Sequence, residues 1–381
     1  MHSIHPFKLA VCFLLVILGG CTSLPSEKTA EIEPPVEPVL EPLLEPIQEK
    51  PKNLWVEIAS GYGLPEVPEQ KIEKNLLWLS KHQNYMDKVT KQSEPFLYYV
   101  TEQFRNNDIP LELTLIPIVE SAFNPNAQSR SKALGLWQFL ARTGRHFGLE
   151  QNLLYDERRD VIASTDAAVR YLQYLHKYFE GDWLLAIAAY NAGEGRVQRT
   201  IKQNKKLGKP TDFWSLPLPK QTQHYVPQIL ALSKVVANPQ AYNLTIEPIE
   251  NRPYFTKVNN SKTIDMVHAA KMANINPDIM RKLNAAHTKS IIAPSAPKDL
   301  LIPIDHQDQF SNILPSLPIA SIPANELRAL ISATTYVVKS GDNLWLIAKK
   351  HKTKVKTLQQ LNNLSEKSIL RPGQKLKISA P

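Results

Sequence analysis

The chain has 381 residues, enough for about two or three domains. Apolar residues make up 43% and charged residues 21%, as in globular proteins, and the formal net charge is +9. Two cysteines exclude a disulfide-rich scaffold and a zinc site built from several thiolates, and the sequence contains no HExxH pair. Composition therefore favours a modular protein, and we expect neither a metal nor a cofactor.

Residues 1–20 have the pattern of an export signal. Residues 9–18 are apolar but too few to span a bilayer, and two glycines and Cys21 follow them. The sequence Leu-Gly-Gly-Cys at 18–21 resembles the lipobox of bacterial lipoproteins. The resemblance implies that a lipid on Cys21 holds the mature chain to a membrane; an ordinary signal peptide with an incidental cysteine is the alternative. Because Thr22 rather than Asp follows, the pattern favours the outer membrane of a Gram-negative bacterium, facing the periplasm.

Residues 21–52 are predicted to comprise the lipidated cysteine and a tether. Glu-Pro pairs recur at 37–38, 41–42 and 45–46. Proline is incompatible with a continuous helix and favours extended polyproline geometry. At about 3.1 Å per residue, such a segment reaches on the order of 90 Å. We interpret it as a spacer, with a partner-binding motif as the alternative.

An apolar run in the helical part of the chain ends in an acidic residue. Residues 53–106 have a helical pattern and predict an N-terminal helical extension, after which residues 111–119 are almost all apolar and Glu120 follows. A carboxyl group at the end of such a run is expected to be partly desolvated, which raises its pKa and suits a general acid. From position alone, the alternative is an exposed glutamate at the end of a helix.

Two pairs of neighbouring residues are candidates for contact with a ligand. Residues 183–191 predict an apolar helix that Asp182 caps and Gly193 ends, so that Tyr190 and Asn191 emerge at its end. Further upstream, Trp137 and Gln138 stand together in a segment rich in Ser and Gly. An indole ring stacks on sugar faces and an amide bonds sugar hydroxyls. This pair therefore suits a carbohydrate ligand, although Trp137 has simple packing as its alternative.

The same region resembles the signatures of soluble-lytic-transglycosylase-type domains. Residues 120–129 (ESAFNPNAQS) with 135–139 (GLWQF) match the first signature, and residues 188–197 (AAYNAGEGRV) match the second. Further matching segments are 155–160 (YDERRD), 212–219 (DFWSLPLP) and 225–227 (YVP). The resemblance covers about 130 residues and implies a lysozyme-like helical catalytic domain, which we place at 107–245.

The resemblance also implies a reaction and its residues. The family cleaves the β-1,4 bond between N-acetylmuramic acid and N-acetylglucosamine and leaves 1,6-anhydromuramyl ends. Glu120 would be the catalytic residue, first as an acid and then as a base. Ser129 would bond either the substrate N-acetyl group or the catalytic carboxylate. The other substrate-binding residues implied by the resemblance are Gln138, in a sugar subsite, and Tyr190, Asn191 and Tyr225, around Glu120.

The expected partner is therefore the glycan strand of peptidoglycan; we expect no nucleic acid, and protein partners are unknown. Two positions depart from the family pattern. Lys132 precedes Ala133 and Leu134 where a Gly-Ala pair is common, and Gln221 stands where a glutamate often does. The loss of this carboxylate could change the proton affinity of the site or its grip on the substrate.

Two alternatives to a lytic transglycosylase stay open from the residues. Hydrolytic glycosidases usually need two carboxylates, whereas only Glu120 is convincing in this chain. A muramidase-type hydrolase on the same fold would recruit Asp156, Glu157 or Glu194 as its second carboxylate. The other alternative is a non-catalytic lipoprotein that binds peptidoglycan.

The C-terminal part of the chain predicts small α+β modules. Residues 335–379 resemble a LysM module, with a strand, a helix capped by Asp342, a second helix, a Pro-Gly turn and a strand. LysM modules bind glycans that contain N-acetylglucosamine, without a cofactor. Residues 250–305 repeat this order weakly and without the Gly-Asp turn, so we expect a degenerate LysM-like module without glycan affinity, and residues 306–334 predict a linker.

The predicted fold class is therefore mainly α, a lysozyme-like helical domain followed by βααβ LysM modules. From residue 336 to the end the net charge is +8, with ten basic and two acidic residues. Basic patches attract polyanions, and an anionic wall polymer or membrane surface suits an exported protein. A merely solvated basic face is the alternative.

Overall fold

The computed structural model describes residues 52–152, 154–292, 299–321, 335–351, 353–362, 364–365 and 368–378. The predictions for the export signal, for Cys21 and for the Glu-Pro tether up to residue 51 fall outside these residues. Among the described residues, no helix is both long enough and apolar enough to cross a membrane.

Nine helices are described between residues 52 and 245. They are α1 (Leu54–Ser60), α2 (Glu73–Leu79), α3 (Gln83–Arg105), α4 (Ile116–Ser121), α5 (Ala141–His146), α6 (Val161–Tyr178), α7 (Trp183–Ala192), α8 (Glu194–Lys206) and α9 (Lys220–Ala237). Helix α7 is central: it packs against α6, α8 and α9, and residues 186–189 are fully buried. As predicted, Asp182 caps this helix by accepting a hydrogen bond from the Leu185 N–H at 2.9 Å, and Gly193 ends it with a φ of 83°.

The N-terminal extension packs into the same hydrophobic core as the catalytic region. Glu112 lies in a 3₁₀ turn just before α4 and is 3% exposed. Its carboxylate accepts hydrogen bonds from the N–H groups of Gly63 and Leu64, at 2.9 to 3.1 Å. The carboxylate thereby satisfies the donors of the segment after α1, and this fixes the extension to the helix that carries Glu120.

A LysM-like module follows the helical domain. Strand β1 (Phe255–Asn259) pairs antiparallel with β4 (Asp299–Pro303), and β2 (Ile264–Asp265) pairs with β3 (Ile291–Ile292). Its helices are α10 (Met266–Met272), α11 (Pro277–Leu283) and α12 (Gln307–Ile313).

The structure differs from the prediction of a linker that begins at residue 306. Residues 307–313 form helix α12, whose Phe310 is fully buried, and Leu317 is 3% exposed in the same module core. The two apolar side chains complete a core that βααβ elements alone leave uncovered. We therefore treat residues 254–319 as one unit and call it the LysM-like module.

The terminal LysM module has the predicted order of elements and its own hydrophobic core. Strand β5 (Thr335–Val337) pairs antiparallel with β6 (Lys375–Lys377), and α13 (Leu344–Lys350) and α14 (Val355–Asn362) lie between them in sequence. The predicted helix cap is wrong by one residue. Asn343 caps α13 by accepting from the Leu346 N–H, whereas Asp342 closes the preceding turn by accepting from the Lys339 N–H and the Tyr336 hydroxyl.

Candidate active site

Glu120 lies at the end of the short helix α4, where the chain makes an unusual turn. Ala122 and Phe123 both have left-handed backbone conformations, with φ values of 51° and 54°. Phe123 is fully buried, and the Ala122 and Phe123 N–H groups bond to the carbonyls of Ile118 and Pro117. Non-glycine residues in this region are strained, and such strain is often found at functional sites. Here the turn ends the helix directly after the carboxylate.

The surroundings of Glu120 favour its protonated form. Burial raises the pKa of Glu120 to about 7, whereas a hydrogen bond from the Tyr225 hydroxyl, with an O···O distance of 2.6 Å, lowers it. Desolvation wins because it disfavours the charged carboxylate more than one hydrogen bond favours it. A carboxyl group with a pKa near the working pH is suited to give and take a proton.

Helices α7 and α9 bring the predicted tyrosines to this carboxylate. The Tyr225 hydroxyl bonds Glu120 directly, and the Tyr190 hydroxyl donates to the Trp137 carbonyl at 2.8 Å. Burial, followed by the charge of Glu120, holds the pKa of both hydroxyls well above the usual range, so they stay protonated. Asn191 lies beside them at the end of α7, where its amide oxygen accepts from the Thr222 hydroxyl at 2.9 Å.

Ser129 and Gln138 belong to a loop, residues 127–139, that folds back on itself. The Ser129 hydroxyl accepts from the Ala133 N–H at 3.0 Å and lies 2.9 Å from the Ser131 hydroxyl. It makes no hydrogen bond to Glu120 in the described part of the chain, so the substrate N-acetyl group stays the predicted partner. The Gln138 amide nitrogen donates to the carbonyls of Ala127 and Gly135, which leaves its amide oxygen to accept from a ligand.

The carbohydrate-stacking interpretation of Trp137 is wrong. Its side chain is fully buried, it stacks on Phe104 with ring centroids 5.5 Å apart, and its N–H donates to the Thr165 hydroxyl at 3.0 Å. Trp137 is a core residue that supports the site through its backbone carbonyl, which accepts the Tyr190 hydrogen bond. The sequence alone could not show that Trp137 packs in the core while Gln138 can reach a ligand, because the side chains of adjacent residues point in different directions.

Two of the three candidate second carboxylates have other partners. Asp156 forms a buried ion pair with Arg158 at 2.7 Å, and Glu157 accepts from the Glu150 N–H at 2.6 Å. Burial, as the largest cause, raises the pKa of Glu157. The charge of Glu194 acts on the hydroxyls of Tyr171 and Tyr174, whose pKa values it raises further after burial. Glu120, by contrast, is bonded by the Tyr225 hydroxyl, and burial raises its pKa to about 7.

Both residues that depart from the family pattern, Lys132 and Gln221, are exposed. Lys132 is exposed and has a φ of 63°; its N–H donates to the Ser129 carbonyl at 2.9 Å, and its carbonyl accepts from Arg158 at 3.2 Å. Gln221 is exposed on α9, next to the buried Thr222. Sequence reasoning missed Arg158, although the matched segment 155–160 contains it. Asp156, two positions before Arg158 in the sequence, could have indicated it as a potential ion-pair partner.

The described residues contain no group of three or more His, Cys, Asp or Glu placed to hold a metal ion.

Comparison with known proteins decides the family. Membrane-bound lytic murein transglycosylase D of Escherichia coli K12 is 41% identical over 335 residues, which cover 86% of this chain and 73% of that protein. This chain belongs to the membrane-bound lytic murein transglycosylase D family. Family models agree: the transglycosylase SLT domain matches residues 99–213, the LysM-like domain of lytic transglycosylase MltD matches residues 254–319, and the LysM domain matches residues 336–379. The family, the lysozyme-like helical domain and the LysM modules predicted from the sequence are thereby confirmed.

Other lytic transglycosylases match smaller shares of this chain. The soluble lytic murein transglycosylase of Escherichia coli K12 is 30% identical over 117 residues, which cover 29% of this chain and 18% of that protein. An X-ray structure of an inactive mutant of lytic transglycosylase Slt from Pseudomonas aeruginosa aligns with 26% identity and a TM-score of 0.30. That alignment covers 40% of this chain and 25% of the other.

Proposed function

We propose that the protein is a peptidoglycan lytic transglycosylase in which Glu120 is the single acid and base. It cleaves the β-1,4 bond between N-acetylmuramic acid and N-acetylglucosamine and forms 1,6-anhydromuramyl ends. The observation that carries this proposal is the carboxyl group of Glu120, whose pKa burial raises to about 7 and which the Tyr225 hydroxyl holds at 2.6 Å.

The reaction needs one proton shuttle and consumes no water. The Glu120 carboxyl group gives its proton to the glycosidic oxygen as the bond from muramyl C1 to that oxygen breaks, and N-acetylglucosamine leaves with a 4-hydroxyl group. The resulting carboxylate accepts the proton of the muramyl C6 hydroxyl, whose oxygen bonds to C1. Tyr225 bonds the carboxylate between the two steps, and because its own pKa is raised it donates without losing its proton.

The remaining site residues bind the substrate in this proposal. Ser129 bonds the N-acetyl group, and Gln138 accepts from a sugar hydroxyl through its amide oxygen. Tyr190 and Asn191 line the cleft on the side of α7. A hydrolase would need a second carboxylate facing Glu120. Of the three candidates, Asp156 is paired with Arg158 and Glu157 accepts from the Glu150 N–H, while Glu194 raises the pKa of Tyr171 and Tyr174 through its charge.

The ends of the chain hold the enzyme at its substrate. We propose that a lipid on Cys21 anchors it to the outer membrane of a Gram-negative bacterium, facing the periplasm. The Glu-Pro tether then spans the distance to the wall, and the terminal LysM module binds the glycan. The domain boundaries given from the sequence, 1–20, 21–52, 53–106, 107–245, 250–305, 306–334 and 335–379, remain predictions except where residues 307–319 extend the LysM-like module.

Mass analysis of the muropeptides released from purified sacculi tests the reaction. The full-length protein in detergent should release products one water lighter than hydrolysed ones, without a reducing muramyl end. Glu120→Gln should still bind sacculi but release nothing. Reducing ends in the products would identify a hydrolase, and an unchanged release by Glu120→Gln would remove this residue from the mechanism.

A further inference from the structure

The LysM-like module is joined to the catalytic domain by a short two-stranded seam. The Thr288 N–H donates to the Leu154 carbonyl at 2.9 Å, and the Asp156 N–H donates to the Ala286 carbonyl at 3.0 Å. Between these bonds the rings of Tyr155 and His287 meet edge to face, with centroids 4.8 Å apart. Burial lowers the pKa of His287 to about 4, so the ring is neutral at pH 7. The seam is thus specific in both backbone and side chain.

A second contact makes the attachment rigid. Leu283 of α11 and Leu301 of β4 are buried in the hydrophobic core of the catalytic domain rather than in the core of their own module. The Lys282 ammonium group donates to the Gln92 carbonyl of α3 at 3.1 Å, and the Phe255 ring lies 5.7 Å from that of Tyr99. Apolar burial on one side and paired backbone groups on the other fix the orientation of the module.

The catalytic side of the seam leads directly to the substrate-binding loop. Asp156, whose N–H donates to the Ala286 carbonyl of the module, accepts two hydrogen bonds from the Arg158 guanidinium group, at 3.0 and 2.7 Å. The same guanidinium group donates to the carbonyls of Lys132 and Phe139, at 3.2 and 3.4 Å. Arg158 is 8% exposed, so these bonds are shielded from water and restrict its position.

The backbone of Arg158 also presses against the loop. A Cβ atom added at Gly135, whose φ is 82°, would lie 1.8 Å from the Arg158 carbonyl oxygen. Only glycine allows this approach. The segment 132–139 is therefore held at both ends by the side chain of Arg158 and in the middle by its backbone. Gln138 lies within that segment, and Ser129 bonds the Ala133 N–H at its start.

From this chain of contacts we infer that the LysM-like module is a brace for the active site: it holds the substrate-binding loop 127–139 in place through Asp156 and Arg158, which are positioning residues. The inference rests on the proposed function, since it assumes that Ser129 and Gln138 bind the glycan. It gives the module a task in catalysis that needs no glycan binding by the module itself.

Two changes on the module side test the brace without touching the active site. His287→Ala removes the ring against Tyr155, and Thr288→Pro removes the N–H that bonds the Leu154 carbonyl. His268→Ala is the matched control, because His268 is exposed on α10 of the same module. With uncrosslinked glycan strands as substrate, we expect both seam variants of the full-length protein to raise KM about threefold to tenfold and to change kcat less than about twofold. His268→Ala should leave both constants unchanged.

The double variant distinguishes positioning from a general loss of stability. If the module acts through Arg158, His287→Ala should raise KM in the wild-type background but by less than about twofold in the Arg158→Ala background. Arg281→Ala, a change at an exposed arginine of α11 that pairs with Asp278, serves as control for Arg158→Ala. Effects of His287→Ala and Arg158→Ala that multiply would overturn the brace. Should Arg158→Ala not fold, Arg158→Lys keeps the charge but not the fork that reaches both carbonyls.

Amide hydrogen exchange gives a readout that does not depend on activity. The Leu134 N–H bonds the Phe139 carbonyl at 3.1 Å, and the Gly135 N–H bonds the Ala127 carbonyl at 3.0 Å. Both should exchange faster in His287→Ala, while Ala188 in the centre of α7 exchanges as in the wild type. Unchanged exchange at Leu134 and Gly135, together with an unchanged KM, would refute the brace. A wild-type protein that releases no product would refute the proposed function instead, and the exchange result would still decide the brace.

Discussion

The two LysM-type modules of this chain both place two helices between paired strands, but they differ in charge and in how their apolar side chains pack. Residues 254–319 carry seven basic and five acidic residues, whereas residues 336–379 carry ten and two. In the first module Phe310 is fully buried, and Phe255 and Leu301 pack into the catalytic domain. In the terminal module Trp345 is 59% exposed, and the Lys349 ammonium group lies 4.9 Å from its ring centroid.

The fold of such a module therefore does not by itself determine whether the module binds glycan or positions a neighbouring domain. An exposed indole can stack on a sugar, and a module with ten basic residues can attract an anionic polymer. A near-neutral module whose apolar side chains face a neighbouring domain is suited to hold that domain. The comparison therefore assigns binding to the terminal module and positioning to the LysM-like module, and each of the following predictions tests that assignment.

Removing a leucine from each module should have the largest effect and separate them. Leu301→Ala leaves a cavity in the core that the LysM-like module shares with the catalytic domain, and should lower the free energy of unfolding of both by about 2–5 kcal/mol. Leu376→Ala, in the core of the terminal module, should destabilise that module alone. Urea unfolding followed by hydrogen exchange reports each region. A catalytic domain that unfolds normally in Leu301→Ala would contradict a shared core.

The pH dependence of the free energy of unfolding should also separate the catalytic domain and LysM-like module from the terminal module. The native state holds a proton on Glu120 up to a pH of about 7, whereas the unfolded chain releases it near 4.5. Stability therefore falls as pH rises through this window, by about 3 kcal/mol for a fully expressed shift. Burial also lowers the pKa of His287 to about 4, which adds stability over the same pH range. Urea unfolding at pH 4 and pH 8 is therefore carried out in the His287→Ala background, where the loss should appear in the catalytic domain and LysM-like module together.

The matched variants sharpen this prediction. Glu120→Gln should abolish the loss, whereas Glu66→Gln, at an exposed position, should not. The terminal module, followed by hydrogen exchange, should be insensitive to either change. A loss that persists in Glu120→Gln would mean that another group carries the pH dependence.

Replacing the exposed Trp345 tests whether the terminal module binds glycan. Trp345→Ala should weaken the binding of the full-length protein to sacculi about tenfold, because an aromatic stacking contact contributes about 1–2 kcal/mol. Trp78→Ala, at another exposed tryptophan, is the control. Cosedimentation at several protein concentrations measures the affinity. Equal binding by the two variants would take the indole out of glycan recognition.

The smallest effect is expected at the lysine between the LysM-like module and α3. Burial lowers the pKa of Lys282 to about 8, so its charge is unfavourable in the folded state. Allowing for its partial exposure, Lys282→Met should stabilise the protein by about 1 kcal/mol at pH 7. The gain should vanish above about pH 10.5, where the unfolded lysine is also neutral. Urea unfolding beside the exposed control Lys271→Met measures it; a destabilised Lys282→Met would show that the Gln92 hydrogen bond outweighs the burial.

The sequence predicted those parts of the molecule that depend on local patterns. The apolar run before Glu120, the Asp182 cap and the Gly193 stop act within a few residues, and the structure places each as expected. The raised pKa of Glu120 also followed from the run of apolar neighbours. The tyrosine that bonds Glu120, by contrast, lies 105 residues away and was indicated only by the family resemblance.

The parts that could not be predicted depend on long-range packing. Trp137 and Gln138 are adjacent, yet only the fold shows that the indole is buried and the amide is half-buried at the site. Residues 306–334 were predicted to form a linker because of their prolines, and only the position of Phe310 in the module core shows that the first part of this segment belongs to the module. Arg158 is one of several arginines in the sequence, and its reach to the Lys132 and Phe139 carbonyls follows from loop geometry alone.

A ¹³C NMR titration of the Glu120 carboxyl carbon measures directly whether this residue holds a proton near neutral pH. Glu120→Gln identifies the signal by its absence, and the full-length protein is used in detergent. We expect a midpoint near pH 7, so that Glu120 can hold a proton at neutral pH and give it to the glycosidic oxygen. A midpoint near the ordinary value of 4.5 would leave Glu120 ionised there, and would contradict its assignment as the acid that starts the reaction.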